Sequence, residues 1–268
     1  MNYFGEGQFF GSTHQTTSFD GITATETEYD YKFVDWHYHE HAYFSFVTRG
    51  HCRHINKQET FDCSPDSLLF HNCYEPHCNT KSTGISRGFQ IELSQEWCRK
   101  FEVDLDRLPS SVRVTSPNAK LLFYNIYKES KLPDDSSNLT IDALLVETFE
   151  TIRGVENFSA SGTPRWVKKI DEILHESFDQ PLSLQKLSEE VDLHFVHLSR
   201  NFPRYFRCNF SQYIRKIRVE KSLSLLRNSS LTMADIAFTC GFTDQSHFIR
   251  CFKEFIGTTP KDFRRLMR

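Results

Sequence analysis

The sequence has no Cys-x-x-Cys pair, although it holds eight cysteines: Cys52, Cys63, Cys73, Cys78, Cys98, Cys208, Cys240 and Cys251. In a chain of 268 residues that spacing offers no disulfide framework, and reduced thiols are expected. The N-terminus lacks a cationic stretch followed by an apolar run, so no signal peptide is expected. No window approaches the roughly 18 apolar residues of a membrane span, which removes the membrane as a partner. A cytoplasmic location is the resulting expectation. No Gly-x-Ser-x-Gly elbow and no phosphate-cradling glycine loop is expected, so the sequence predicts neither an enzyme nor a cofactor.

Apolar content of 38% and charged content of 25% fit a soluble globular protein, and the length suffices for two cores. The formal net charge of −3 hides an asymmetry. Residues 165–268 hold 18 Lys/Arg against 12 Asp/Glu, whereas the preceding 164 residues hold 14 against 23. A basic C-terminal third on an acidic body points to a polyanionic partner, although ordinary variation between domains would give the same balance.

Residues 1–28 are polar with little periodicity and read as a lead-in with at most a short strand. From Tyr29 to Leu93 the pattern is of short strands. An aromatic, β-branched alternation stops at Gly50, a hairpin follows with Asn56 and Lys57 near its turn, and "SPDSLLF" and "GISRGFQIEL" read as further strands. That succession predicts a small sandwich or barrel. Helical spacing begins after Leu93, at 117–130 and 138–153, with Pro133 and an Asp/Ser cluster between the two. "GVENFSASGTP", 154–164, reads as a linker, and everything from Arg165 reads helical. The predicted class is α+β: residues 1–153 a β-barrel with a helical segment, residues 165–268 all-α. The helices at 117–130 and 138–153 carry apolar faces beyond the needs of a small barrel, which suggests a homodimer interface.

Residues 165–268 contain an internal repeat. Leu198, Arg200, Phe202 and Phe206 match Phe248, Arg250, Phe252 and Ile256 at an offset of 50. Leu187, Ser188 and Val191 match Ile236, Ala237 and Cys240 at an offset of 49. Each copy is a short helix, a tight turn and a second helix. Ser183 before Leu184, and Thr232 with Asp235 three residues on, mark helix starts, and Thr243 is the expected cap of the last long one.

On a helix turning about 100° per residue, Phe248, Phe252 and Phe255 share one face while Ser246, Ile249, Arg250 and Lys253 fall opposite. In the first copy Leu198, Phe202 and Tyr205 share a face, and Val196, Ser199 and Arg200 project outward. Short polar side chains with an Arg suit a major groove, where Arg bonds guanine O6 and N7 together. One such helix alone is no more than an amphipathic helix with a solvated face. Two copies in a basic domain point to double-stranded DNA. The stretch between them, Phe210 to Asn228, spans roughly 27 Å at 1.5 Å per residue, close to the ~34 Å repeat of B-DNA. Arg215, Lys216 and Arg218 are then phosphate-contact candidates, or equally a solvated face.

"GFTDQSHFIRCFKEFIGTTPKDFRR" resembles the C-terminal signature of the AraC/XylS-type bacterial transcription regulators. "LSLQKLSEEVDLHFVHLSRNF" and "FSQYIRKIRVEKSLSLL" are similar to their first helix-turn-helix and connecting helix. The resemblance covers 165–268 and implies contact with two adjacent major grooves, control of transcription, often activation, and RNA polymerase as a partner. By position Gln245, Ser246, His247 and Arg250 match the second reading helix, and Val196, Ser199 and Arg200 the first. Two residues depart from the pattern: Pro203 replaces the usual basic residue, and Arg207 the usual Gly. Pro203 is expected to kink or restart its helix at 202–203.

"WHYHEHAYFSFVTRG" places His37, His39, His41 and Tyr43 on one face of a strand, and His71 and His77 follow. This spacing resembles a small cupin barrel, the usual sensor domain of these regulators, with His37, His39, Tyr43 and His77 toward a small-molecule effector. In metal-binding cupins a Glu follows the His pair. Tyr43 holds its place here, so no metal is expected, although Tyr43 itself, His41 or Glu40 could substitute and imidazoles suit Zn, Fe, Ni or Cu. Trp36, Tyr38, Phe44 and Phe46 line a pocket or form core, and Cys240 and Cys251 read as core packing. Two alternatives stay open: a metal-dependent cupin enzyme with a DNA-binding tail, and a thiol-based redox regulator.

Overall fold

The computed structural model describes the chain except residues 82–83, 161–162, 228–229 and 267–268. Two compact units divide it, Met1–Phe149 and Glu150–Arg268.

The first unit is built on β1 (Asn2–Phe4), β2 (Ser12–Phe19), β3 (Ile22–Tyr29), β4 (Phe33–His39), β5 (Ala42–Arg49), β6 (Cys52–Asn56) and β7 (Thr60–Cys63). There follow β8 (Leu68–His71), β9 (His77–Thr80), β10 (Ser86–Leu93), α1 (Gln95–Lys100), β11 (Ser111–Val114), α2 (Pro117–Lys131) and α3 (Ser137–Ala160), whose residues past Phe149 belong to the second unit. The strands lie in two sheets, ordered β1-β4-β9-β6-β7 and β11-β8-β5-β10-β3-β2, not in one closed ladder. Between β6 and β7 the Asn56 side chain accepts from the Gln58 and Glu59 amides, 2.8 and 2.7 Å, and fixes the hairpin turn.

Two expectations change here. The polar lead-in contains two eight-residue strands, β2 and β3. In β3 the buried positions include Thr23, Thr25 and Thr27, whose β-branched side chains suit a pleat but whose hydroxyls hide any apolar alternation. The stretch 29–50 breaks at Glu40 and His41 into β4 and β5, which belong to different sheets. His37, His39, His41 and Tyr43 therefore do not share one strand face.

Alternation along β5 sends Phe44 and Phe46 to one side and Tyr43, Ser45 and Val47 to the other. Phe44 meets Phe123 of α2 and Phe149 of α3, ring centroids 5.4 and 5.2 Å apart, and Phe46 meets Tyr124 at 4.8 Å. Such ring pairs contribute about 0.5–1.5 kcal/mol each beyond area burial. Leu121, Tyr124, Ile126 and Leu145 are all buried. The apolar faces of α2 and α3 thus belong to core, which removes the argument for a dimer interface there. Phe44 and Phe46 are core as well, not pocket wall.

The second unit contains α4 (Arg165–Glu176), α5 (Leu184–Glu190), α6 (Phe195–Phe206), α7 (Phe210–Leu226), α8 (Met233–Thr239), α9 (Gln245–Ile256) and α10 (Pro260–Leu266). The segment expected as a linker, 154–164, is helical through Ala160 as the end of α3, while 161–162 lie outside the described residues. The pairs α5–α6 and α8–α9 are the two helix-turn-helix copies. Ser183 caps α5, and Thr232 with Asp235 forms the capping box of α8. The cap of α9 is Asp244, one residue beyond Thr243, and its carboxylate accepts from the His247 amide at 2.8 Å.

Ile170, Leu174, Leu187, Leu198, Phe202 and Ile217 form the first core. The matching positions Ile236, Phe248, Phe252 and Ile256 are buried in the second copy, as are Cys240 and Cys251. α7 contacts α4 and α6 on one side and α8 and α9 on the other. At the turn of the second copy Gly241 has φ 74°, and a Cβ there would sit 2.6 Å from the Asp179 backbone, so only glycine fits. α6 runs unbroken from Phe195 to Phe206 with Pro203 inside it, so the expected restart does not occur.

Candidate functional site

On α6 the side chains of Val196, Ser199 and Arg200 are exposed while Leu198 and Phe202 are buried. On α9 Gln245, Ser246, Arg250 and Lys253 are exposed against buried Phe248 and Phe252. Both outward faces hold the residues read from the sequence. His247 differs. It is half-buried, with its ring edge-on to Phe242 at 5.4 Å, so packing restricts its reach.

The cations of α7 divide by task. Arg218 donates to the carbonyls of Phe178 and Gln180, at 2.8 and 3.0 Å, and burial lowers its pKa. It ties the segment between α4 and α5 to α7 and is no phosphate candidate. Arg215 lies 3.6 Å from Glu254 of α9 and donates to the Ser211 carbonyl. Lys216 is half-buried, with its ammonium 6.0 Å from the Phe255 ring centre.

In the first unit, five histidines are buried together: His37, His39, His54, His71 and His77, with Tyr43 among them. β4 supplies the first pair, β6 His54 and β9 His77, all from one sheet, while His71 on β8 and Tyr43 on β5 come from the other. His37 and His77 rings lie 4.1 Å apart, His39 and Tyr43 4.8 Å, and Tyr43 and His71 4.5 Å. Phe9 packs on His39 at 4.8 Å, and Phe10 on His37 at 5.1 Å. His37, His39, Tyr43 and His77, read from one stretch and a later His, do meet, though across two sheets. His41 stays out, in the turn. His54 was missed. Its signal lay in "HCRHIN", where alternation puts it on the same face as Cys52.

Hydrogen bonds fix several tautomers. His37 Nδ1–H donates to the Asp35 carbonyl at 2.8 Å, and His77 Nδ1–H to the Glu75 carbonyl at 3.0 Å. That leaves His77 Nε2 to accept from the Tyr43 hydroxyl, 3.1 Å away. His54 Nδ1–H donates to Asn79 Oδ1 at 3.1 Å. Within this cluster two buried nitrogens find no protein partner, His39 Nδ1 and His54 Nε2. Burial, aided by repulsion between neighbouring imidazoles, lowers every pKa in the group, that of His39 to about 3 and that of His54 to about 4. The cluster is neutral at physiological pH. Burial also raises the Tyr43 phenol well above its ordinary value, so it stays protonated.

Nitrogens of His37, His39 and His77 lie within 4.8 Å of one another. Three neutral imidazoles, two of them oriented by backbone carbonyls, fit a borderline divalent cation such as zinc, which would act there as a Lewis acid. Among the described residues no carboxylate joins them. The stretch Gly84–Gly88 does spell Gly-x-Ser-x-Gly, but Ser86 opens strand β10 and its hydroxyl donates to the His51 carbonyl at 3.1 Å, so it forms no strand-to-helix elbow. Among the described residues no helix is long and apolar enough to cross a membrane.

A ligand-binding-type β unit and a double helix-turn-helix unit define the class of this protein. Residues 19–147 match an AraC-like ligand binding domain and residues 187–266 a helix-turn-helix domain. The chain belongs to the AraC-type family of transcription regulators. It is 28% identical over 245 residues to the HTH-type transcriptional activator RhaR of Cronobacter sakazakii, covering 85% of this chain and 86% of RhaR. The HTH-type transcriptional regulator GbdR of Pseudomonas aeruginosa is 30% identical over 98 residues, 37% of this chain; the match spans only 27% of GbdR. Among solved structures, ToxT of Vibrio cholerae bound to (E)-4-(8-methylnaphthalen-1-yl)but-3-enoic acid aligns with 93% of this chain and 100% of its own, at 13% identity and a TM-score of 0.40.

Proposed function

We propose that the chain is a cytoplasmic transcription activator. Residues 165–268 read two adjacent major grooves of duplex DNA, 154–164 link the parts, and 1–153 sense a small effector. The observation that carries the reading is the equivalence of the exposed faces of α6 and α9, each a short polar and cationic stripe over a buried apolar one. Val196, Ser199, Arg200, Gln245, Ser246 and Arg250 face bases, and Lys216 and Lys253 face phosphates. His247 and Arg215 contribute at the margin, since each is partly engaged within the unit. RNA polymerase is the partner through which the bound protein acts. A second copy of the chain is a further partner, on surfaces other than the buried faces of α2 and α3.

The effector pocket lies among the five histidines and Tyr43. Its imidazoles are neutral, and its two partnerless nitrogens lack a hydrogen-bonding group. Lys81 and Arg87 also line it, but Lys81 donates to the Tyr29 carbonyl and Arg87 to Glu28. These features suit an uncharged, hydroxyl-bearing organic molecule flanked by the aromatic faces of Phe9 and Phe10. Selection of duplexes by the full chain, followed by a salt titration, tests the DNA reading. Affinity falls steeply with salt if Lys and Arg displace counterions. A folded chain that enriches no sequence and shows no salt dependence overturns it.

The proximity of His37, His39 and His77 favours a second reading, in which a zinc-like ion sits there in place of, or beneath, the effector. Metal analysis after chelator dialysis separates the two. A stoichiometric ion that survives in the native chain and is lost in His39→Ala supports the ion. Its absence supports the metal-free pocket.

A further inference from the structure

Cys52 and Cys63 are direct partners across the β6–β7 hairpin. Residues facing each other in an antiparallel pair have Cα atoms about 4.5–5.5 Å apart, inside the ~4.4–6.8 Å that a disulfide spans. Both thiols are free, and that of Cys63 donates to the Phe61 carbonyl at 3.6 Å. Both also line the histidine pocket and a more open hollow beside Lys81. Their surroundings differ. Cys52 is half-buried, whereas Cys63 is buried against Val47, Phe61 and Leu69.

We propose that Cys52 and Cys63 form a dithiol site, in the wall of the N-terminal pocket, that a hydroperoxide oxidises to a cross-strand disulfide. Cys52 is the attacking group. It is half-buried beside Lys81 and its thiol pKa is lowered, while Cys63, buried and donating to the Phe61 carbonyl, is held as a thiol. The Cys52 thiolate attacks one peroxide oxygen, the O–O bond breaks, and the leaving alkoxide takes a proton to become an alcohol, or water from hydrogen peroxide. Cys52 is then a sulfenic acid. Cys63 gives up its proton and attacks that sulfur, the S–O bond breaks, and water leaves. Two thiols and one hydroperoxide yield one disulfide, one alcohol and one water, with two electrons passing from sulfur to oxygen.

The position gives the bond a consequence. β7 is an edge strand, and β6 carries His54 opposite Phe61 of β7. The disulfide would fix that edge to its neighbour directly beside the histidine cluster. Only this effect on the pocket rests on the proposed sensor function; the oxidation does not.

The test treats the full reduced chain with hydrogen peroxide, then alkylates and digests it for mass spectrometry. Eight free thiols should fall to six, with one peptide pair joined through Cys52 and Cys63 and released by a dithiol reductant. Cys63→Ser should stop at a sulfenic acid on Cys52 that dimedone traps, and Cys52→Ser should leave Cys63 unmodified. Oxidation of other cysteines first, or a Cys52 that passes to sulfinic acid while Cys63 stays free in the native chain, overturns the proposal. DNA binding by the reduced chain, measured alongside, reads the regulator function separately, so its failure cannot be mistaken for failure of the dithiol.

Discussion

Arg207 and Gly257 end equivalent helices in the same left-handed backbone conformation, with φ of 59° and 74°. The turn residues repeat this relation, with φ of 51° at Asp192 and 74° at Gly241. The second copy places glycine at both positions, and the first bears a side chain at both. A non-glycine residue there is strained by contact of its Cβ with the backbone.

Arg207→Gly should therefore raise the stability of the full chain by about 0.5–1 kcal/mol, net of the entropy glycine adds to the unfolded state. Urea unfolding measures it. A loss of stability would mean that contacts of the Arg207 side chain outweigh the backbone strain.

Pro203 gives no amide hydrogen to the Ser199 carbonyl, yet α6 continues through it. Pro203→Ala should stabilise by about 1–3 kcal/mol. Pro203→Lys should in addition increase the demand for the first half-site in duplex selection. Selectivity unchanged from a native chain that already requires both half-sites equally would show that the proline has no bearing on DNA.

Arg250 and Lys216 should separate in a binding assay. Arg250→Ala should cost roughly 1–3 kcal/mol and relax preference at one base pair. Lys216→Ala should weaken all duplexes about equally and lower the salt slope by about one. An unaltered selected motif with Arg250→Ala would end its assignment as a base reader.

The histidine cluster makes the first unit acid-sensitive. Its imidazoles titrate below their ordinary value, His54 at about 4 and His39 at about 3, because burial disfavours the charged form. The unfolded chain takes up protons near pH ~6.5, while the folded one resists until about 4. Stability is thus fully present above about 6.5 and is lost as pH falls toward about 4. Thermal melting between about pH 7.5 and about pH 5 should show a steady decline in Tm. A flat profile would mean that the cluster accepts protons without opening.

The two units differed in how far the sequence disclosed them. In the second, Leu198, Phe202, Phe248 and Phe252 recur at helical spacing a few residues apart, so local periodicity alone named the inward and outward faces. In the first, the site depends on strands that meet from far apart in the chain. His37 and Tyr43 read as neighbours on one strand, and their real proximity arises because Glu40 and His41 turn the chain into another sheet. His54 came from a third strand, and no local pattern ties it to His77. The threonines of β3 are buried without being apolar, so a search for alternating hydrophobes passes over them. Arg218 looked like its neighbours Arg215 and Lys216, and only the two carbonyls it bonds reveal a structural role.

α7 shares Tyr213, Ile214 and Ile217 with the first core and contacts α8 and α9 beyond. Its 17 residues make a ruler of about 25 Å with no adjustable joint. One inserted residue would advance the second reader by only ~1.5 Å but swing it by ~100°, off the groove. Restoring its phase a full turn of B-DNA away, ~34 Å, would take about 22 residues. Half-site spacing for such a reader is therefore fixed by the protein. Where an operator departs from it, the duplex must supply the difference by bending, and flexible pyrimidine–purine steps between the half-sites would lower that cost.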